Sequence, residues 1–253
     1  TSIESSLINE MFSSPDRYGF ELALLDYCAK TQECSLGEIL WQRPVGPVTC
    51  HRLVGINMFK DAAGPSIEPG ADHIKVKVNG ANLSETLPLV KDLLAKRTPK
   101  SLRIDANGSL DYESARYLCD ALQGLNLILE QPFAPTDLAS HDRLQQQTSV
   151  VIALDESVIF DPSGAEETSC RQLVLKPMYT GGLVQTRDNG IRLLEKKRSV
   201  CITHVLESAV GRGGAIHLAS GFSSISPHGV GHPTEPLLID TRGQIGHGGL
   251  IVS

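Results

Sequence analysis

No apolar run in these 253 residues approaches the roughly 20 needed to cross a bilayer, so no membrane-spanning helix is expected. The opening TSIESSLINEMF lacks the basic, then apolar, then small-residue order of a secretory leader and reads as mid-protein sequence. Basic charge is short too. With 23 Lys and Arg against 29 Asp and Glu, the net charge of −6 leaves no electrostatic footprint for nucleic acid, although a local basic pocket could still take an anionic small molecule. The cysteines at 28, 34, 50, 119, 170 and 201 form no CxxC pair and no small disulfide framework. They read as reduced thiols in a cytoplasmic setting, or in a plastid if the chain belongs to a plant or algal multidomain protein. Low-complexity linkers and close repeats are also missing, while 41% hydrophobic and 21% charged residues are ordinary for a globular protein.

What is present is a rhythm. The runs HIKVKV, SLRIDA, NLILEQP, VVIALDE and QLVLKP are β-branched or leucine-rich, and each carries a charge in or at its end: Lys75 and Lys77, Asp105, Glu130, Asp155, Lys176. From Lys77 onward these charges are 28, 25, 25 and 21 positions apart, about one strand plus one helix. The fold class implied is α/β, a (β/α)8-type barrel, for which some 250 residues suffice. Apolar spacing predicts helices over 17–30, 82–96, 111–123, 135–147, 182–196 and 209–221, a first strand near 48–54, a seventh in VCITHVLE and an eighth around 224–230. Residues 56–72 carry little helical periodicity and read as a short or irregular crossover. The expected organisation is a leading helix and connection over 1–45, a barrel over 46–232, and a turn-rich tail over 233–253 that folds back over the barrel.

Residues two apart on a strand share a face, which puts Lys75 with Lys77 and Arg103 with Asp105, and sends Asp155 and Glu156 opposite ways. Each feature alone has a structural explanation. KVK can be a solvated strand edge, Asp105-Ala-Asn107-Gly108 an Asn-Gly turn, and Glu130 and Asp155 helix-entry caps. Those explanations do not account for three carboxylates on three successive strand ends with lysines on strands to either side. Such carboxylates repel unless a cation joins them, and an all-oxygen set selects Mg²⁺, with Mn²⁺ as a substitute. A lysine held near other cations has a depressed pKa and can serve as a base. Metal plus lysine suits proton abstraction beside the carboxylate of a small-molecule substrate.

The pattern KxK, RxDAN, EQP, DES and KP resembles the enolase superfamily across most of the chain. Arg103-Ile-Asp105-Ala-Asn107-Gly108, Leu175-Lys176-Pro177 followed by Thr180-Gly181-Gly182, and Leu206-Glu207-Ser208 followed by Gly211 look most like its o-succinylbenzoate synthase branch, in menaquinone biosynthesis. The resemblance implies Asp105, Glu130 and Asp155 as Mg²⁺ ligands and Lys77 as the base in a syn dehydration of 2-succinyl-6-hydroxy-2,4-cyclohexadiene-1-carboxylate. Lys75 would steady the enediolate and Lys176 would face the ring. Arg103, Asn107, Thr203 and Gly229 would contact substrate, the last two at its succinyl part. Racemases of N-acylamino acids, dipeptide epimerases and, less closely, muconate-type cycloisomerases share the metal and lysines. A capless barrel kept as an interaction module is the non-enzymatic alternative. Members of the superfamily usually carry about a hundred residues of N-terminal α+β cap ahead of the helix seen here at Arg17. Its near absence implies a fragment, or a barrel whose mouth another domain or chain covers.

Overall fold

The computed structural model describes residues 12–54, 72–96, 99–122, 124–222 and 226–231, together with two short strands near the C-terminus. Seven strands form one parallel sheet in which neighbours follow chain order, the arrangement expected of consecutive βα units. They are β1 (Arg52–Val54), β2 (His73–Lys77), β3 (Ser101–Asp105), β4 (Leu127–Glu130), β5 (Val151–Leu154), β6 (Gln172–Leu175) and β7 (Ser199–Ile202). Positions along β3, β4 and β6 are buried throughout, as in a parallel sheet covered on both faces.

The chain divides into two compact units. The first, 51–174 with 231–233, holds β1 to β5, most of β6, and helices α3 (Leu83–Lys96), α4 (Tyr112–Ala121), α5 (Leu138–Gln147), α6 (Glu156–Phe160) and α7 (Pro162–Glu167). Polar side chains start α4 and α5: Asp111 and Asp137 accept from the backbone N–H of Ser114 and Ser140 at 2.8 and 3.0 Å. The register is continuous, with Lys77 opposite Asp105, Asp105 opposite Glu130, Glu130 opposite Ala153 and Ala153 opposite Gln172. Lys77, Asp105 and Glu130 therefore form one row at the C-terminal ends of three adjacent strands, and Lys75 and Arg103 form the row beneath.

The second unit contains α1 (Ser14–Thr31), α2 (Leu36–Trp41), α8 (Gly182–Glu195), β7 and α9 (Ala209–Ser220). Glu21 of α1 accepts from Val184 N–H at 3.0 Å, Arg187 donates to the Leu40 carbonyl at 2.7 Å, and the Tyr18 hydroxyl donates to the Gly211 carbonyl. Trp41 meets Phe222 edge-on at 4.7 Å, and Gly190 leaves room for that Phe222 ring, which a Cβ would strike. Residues 228–229 take the expected place of an eighth strand: His228 N–H donates to the Thr49 carbonyl and Gly229 N–H to the Ile202 carbonyl, both at 2.8 Å. These make isolated parallel bridges, His228 to Cys50 and Gly229 to Thr203, rather than a full strand.

Each predicted helix appears within three residues of its expected ends. The sequence reading passed over α2, although Ser35 and Glu38 form a capping box, and over the α6–α7 pair between β5 and β6. The crossover over 56–72 falls almost wholly outside the described residues. So does most of the tail, apart from an antiparallel pairing of β8 (Ile245–Gly246) with β9 (Gly249–Leu250). Among the described residues no helix is long and apolar enough to cross a membrane.

Candidate active site

The first unit carries a buried polar column on one face of β2, β3 and β4. Lys75 Nζ lies 2.9 Å from both Asp105 Oδ2 and Glu130 Oε1, and Arg103 Nη1 donates to Glu130 Oε2 at 2.6 Å. The other end of the Arg103 guanidinium donates to Gln172 Oε1 on β6. A buried guanidinium and a part-buried ammonium thus face two buried carboxylates, the balance that a low-dielectric interior demands. Burial works against a charged Lys75, but the Glu130 and Asp105 carboxylates outweigh it and lift its pKa above the ordinary lysine value. Burial likewise pushes the Glu130 carboxyl up, and Lys75 and Arg103 more than reverse that, holding it well below the ordinary value. Lys75 is therefore a fixed cation. Carboxylates dominate its surroundings.

Lys77 differs. Its side chain is 54% exposed against 18% for Lys75; it lies 3.7 Å from Asp105 Oδ2 and donates to Asn107 Oδ1 at 3.2 Å. Asn107 and Gly108 both have positive φ, 44° and 75°, so the Asn-Gly turn expected from sequence is real. The turn places the Asn107 side-chain amide beside Lys77, while the Asn107 backbone N–H donates to Asp105 Oδ1 at 3.1 Å.

Asp155 is buried just beyond β5 as the N-cap of α6. What sets it there is Gln131, the middle residue of EQP. Fully buried with φ 41°, Gln131 accepts through Oε1 from the N–H groups of Asp155 (2.9 Å) and Ser157 (3.2 Å), and donates through Nε2 to the Phe133 carbonyl (2.9 Å) and Ser157 Oγ (2.8 Å). An amide spanning two strand ends could have been suspected from a Gln wedged between a strand-end Glu and a Pro. Gln172, at the head of an apolar strand, is the other polar residue that sequence reasoning missed.

Arg103, expected among the substrate contacts, is 1% exposed and tied to Glu130 and Gln172. Its guanidinium meets the Glu130 carboxylate from the row beneath. The chain also leaves the extended conformation at Asp155 (φ −115°, ψ −82°), so the strand alternation expected to send Glu156 away does not apply, and Glu156 Oε1 accepts from Asn107 Nδ2 at 3.1 Å. In the second unit, Lys176 follows β6 in a turn whose Tyr179 and Thr180 N–H groups return to its carbonyl at 2.7 and 2.9 Å. The Thr203 hydroxyl donates to the Gly229 carbonyl at 3.0 Å, so its hydrogen is engaged in holding the 228–229 segment.

Among the described residues no three His, Cys, Asp or Glu side chains lie within reach of one metal ion. Lys75 accounts for part of this, since Asp105 and Glu130 both lean onto its ammonium. The donor chemistry nevertheless fits a hard divalent cation: all ligands are carboxylate oxygens, two in one row and the third two residues beyond Ala153, which pairs with Glu130.

Comparison with known proteins adds a lineage. The family model described as enolase C-terminal domain-like matches residues 58–252. An o-succinylbenzoate synthase of Bacillus subtilis is 29% identical over 213 residues, 80% of this chain and 55% of that protein. An N-succinylamino acid racemase of Thermus thermophilus is 30% identical over 223 residues, 79% of this chain and 55% of that one. The chain thus spans about half the length of the curated relatives it matches. A substrate-liganded L-Ala-D/L-Glu epimerase from Bacillus subtilis superposes with a TM-score of 0.79 at 21% identity, over 95% of this chain and 70% of that one, a likeness of fold.

Proposed function

Because the chain belongs to the enolase C-terminal domain-like family, we propose that it is the barrel part of a Mg²⁺-dependent carbon–oxygen lyase of the o-succinylbenzoate synthase type. The reaction would be loss of the proton α to the carboxylate of 2-succinyl-6-hydroxy-2,4-cyclohexadiene-1-carboxylate, then syn loss of water. The observation that supports this most is the inequality of two lysines on one strand face: Lys75 is locked between Asp105 and Glu130, while Lys77 reaches solvent with one hydrogen bond to Asn107.

Asp105, Glu130 and Asp155 would hold Mg²⁺, which would draw off the negative charge that builds on the substrate carboxylate as the proton leaves. Lys77 would take the proton and, on the same face, return it to the departing hydroxyl. Lys75, kept charged by its carboxylates, would stabilise the enediolate electrostatically, and Lys176 would supply a cation toward the ring. Arg103 and Gln172 would fix Glu130, and Gln131 would fix Asp155. A cap domain elsewhere in a longer polypeptide, or on another chain, would cover the mouth.

The second reading is N-acylamino-acid racemisation, favoured by the similarity to a named racemase. It requires Lys77 and Lys176 as donors on opposite faces. Solvent deuterium separates the two. For the dehydratase, Lys77→Ala removes α-proton exchange by about 10²–10⁴-fold or more, and Lys176→Arg retains part of the dehydration. Inversion of N-acylamino acids by wild type, lost equally in both variants, would overturn the lyase assignment.

A further inference from the structure

We propose that Glu156 is a positioning residue for Lys77, acting through Asn107. The inference rests on the reading of Lys77 as the proton-abstracting base and adds a member to the site that the carboxylate and lysine pattern does not contain. Three groups stand in line: Lys77 Nζ donates to Asn107 Oδ1 at 3.2 Å, and Asn107 Nδ2 donates to Glu156 Oε1 at 3.1 Å. The line has one chemical sense. An ammonium only donates and a carboxylate only accepts, so the amide between them must turn its oxygen to the lysine and its nitrogen to the glutamate. Without Glu156, the Asn107 carboxamide could rotate and turn its N–H groups to Lys77, where they would repel the ammonium and, once the amine is neutral, occupy the lone pair it needs as a base.

The consequence for catalysis is directional. A lysine acting as base must present its lone pair to the substrate carbon. A single N–H anchored on Asn107 Oδ1 fixes where the remaining positions on nitrogen point. Asn107 is a suitable anchor because its own backbone is pinned: its φ is 44°, and its N–H is bonded to Asp105 Oδ1 at 3.1 Å. Glu156 Oε2, in turn, is enclosed and has no hydrogen-bond partner among the described residues, so the amide of Asn107 is the tie shown for this carboxylate. An enclosed carboxylate oxygen left so is costly, and such cost is characteristic of groups kept for a task other than stability.

The test compares Glu156→Ala with Glu156→Gln, whose amide oxygen can still accept from Asn107 Nδ2. The first readout needs neither substrate nor metal: the Asn107 side-chain NH₂ resonances, assigned by their loss in Asn107→Ser, should shift in Glu156→Ala and stay near the wild-type position in Glu156→Gln. The second is α-proton exchange in deuterated solvent. Glu156→Ala should lose about 10- to 100-fold in kcat, the scale of a 1 Å misplacement, with KM within about twofold, and Glu156→Gln should recover most of it. Unmoved Asn107 resonances in Glu156→Ala, or a wild-type exchange rate in that variant, would overturn the positioning role. So would a Glu156→Gln variant as impaired as Glu156→Ala while equally folded. If instead wild type exchanges no tested carbon acid, the reading of Lys77 as base falls, and the resonance experiment alone decides whether Glu156 sets the amide.

Discussion

Replacing Arg103 with methionine keeps an unbranched chain of similar reach and removes one of the two cations in the buried column. What remains is Asp105 and Glu130, both 2% exposed, facing Lys75, with the exposed Lys77 3.7 Å from Asp105 and out of reach of the Glu130 oxygen that Arg103 held. Glu130 Oε2 loses its 2.6 Å partner and the Gln172 oxygen loses its donor. Removing one partner of a buried pair costs about 3–5 kcal/mol, a large share of the roughly 5–15 kcal/mol that keeps a typical protein folded. At about 2–4 °C per kcal/mol for a protein of this size, Arg103→Met should lower Tm by roughly 6–20 °C. Two further measurements make the reasoning specific. The double variant Arg103→Met, Glu130→Gln removes the orphaned charge and should recover at least half of the loss, since truncating both partners is far milder than truncating one. Millimolar Mg²⁺ should stabilise Arg103→Met more than wild type, because a divalent cation restores the missing positive charge. Thermal melts followed by circular dichroism at neutral pH suffice. A Tm within about 2 °C of wild type would refute the charge-balance argument, and a double variant less stable than the single would refute its assignment to Glu130.

Other perturbations follow from the same geometry. Burial, with Arg103 beside it, holds His51 well below the ordinary histidine range, and burial likewise lowers His141. The unfolded chain then binds more protons than the folded one below about pH 6.5, so stability should fall as pH drops from there, by up to about 1.4 kcal/mol per unit for each group; urea titrations at pH 7.5 and 5.5 should show it, and His51→Asn should flatten the slope. Glu130 acts in a different window: with its folded pKa lowered to about 2, its contribution is present above about pH 4.5 and is lost as pH falls toward 2. Gln131→Leu strips the N–H partners from Asp155 and Ser157, and should weaken Mn²⁺ binding measured by electron paramagnetic resonance at least tenfold. Gly190→Ala drives a methyl into the Phe222 ring and should cost about 1–3 kcal/mol, read as a shifted urea midpoint.

The strand ends were legible in the sequence because each combines an apolar run with one charge at a fixed offset, and parity then set which charges share a face. Lys75, Lys77, Asp105 and Glu130 emerged as a group for that reason. Parity does not reach Glu156, because it holds only while the backbone stays extended, and the chain turns into α6 one residue earlier. For Arg103 the pattern gave the shared face with Asp105 without saying which row of the column it fills. Buried amides such as Gln131 and Gln172 leave little trace, since neither charge nor periodicity distinguishes a glutamine that braces a strand end from one in solvent.

The charge balance of the column also bears on how the chain assembles during synthesis. Once β2 and β3 have emerged, they bring together Lys75, Arg103 and Asp105, two inward cations against one carboxylate. Glu130 completes the set only when β4 arrives, 25 residues after Asp105. At about 5–20 residues per second a ribosome needs roughly 1–5 s to cover that stretch. Through that interval the β2–β3 pair cannot bury its inner face without stranding a guanidinium, so it should stay hydrated and open. The fourth strand would act as a latch, and the nascent barrel would grow in a three-strand step instead of strand by strand.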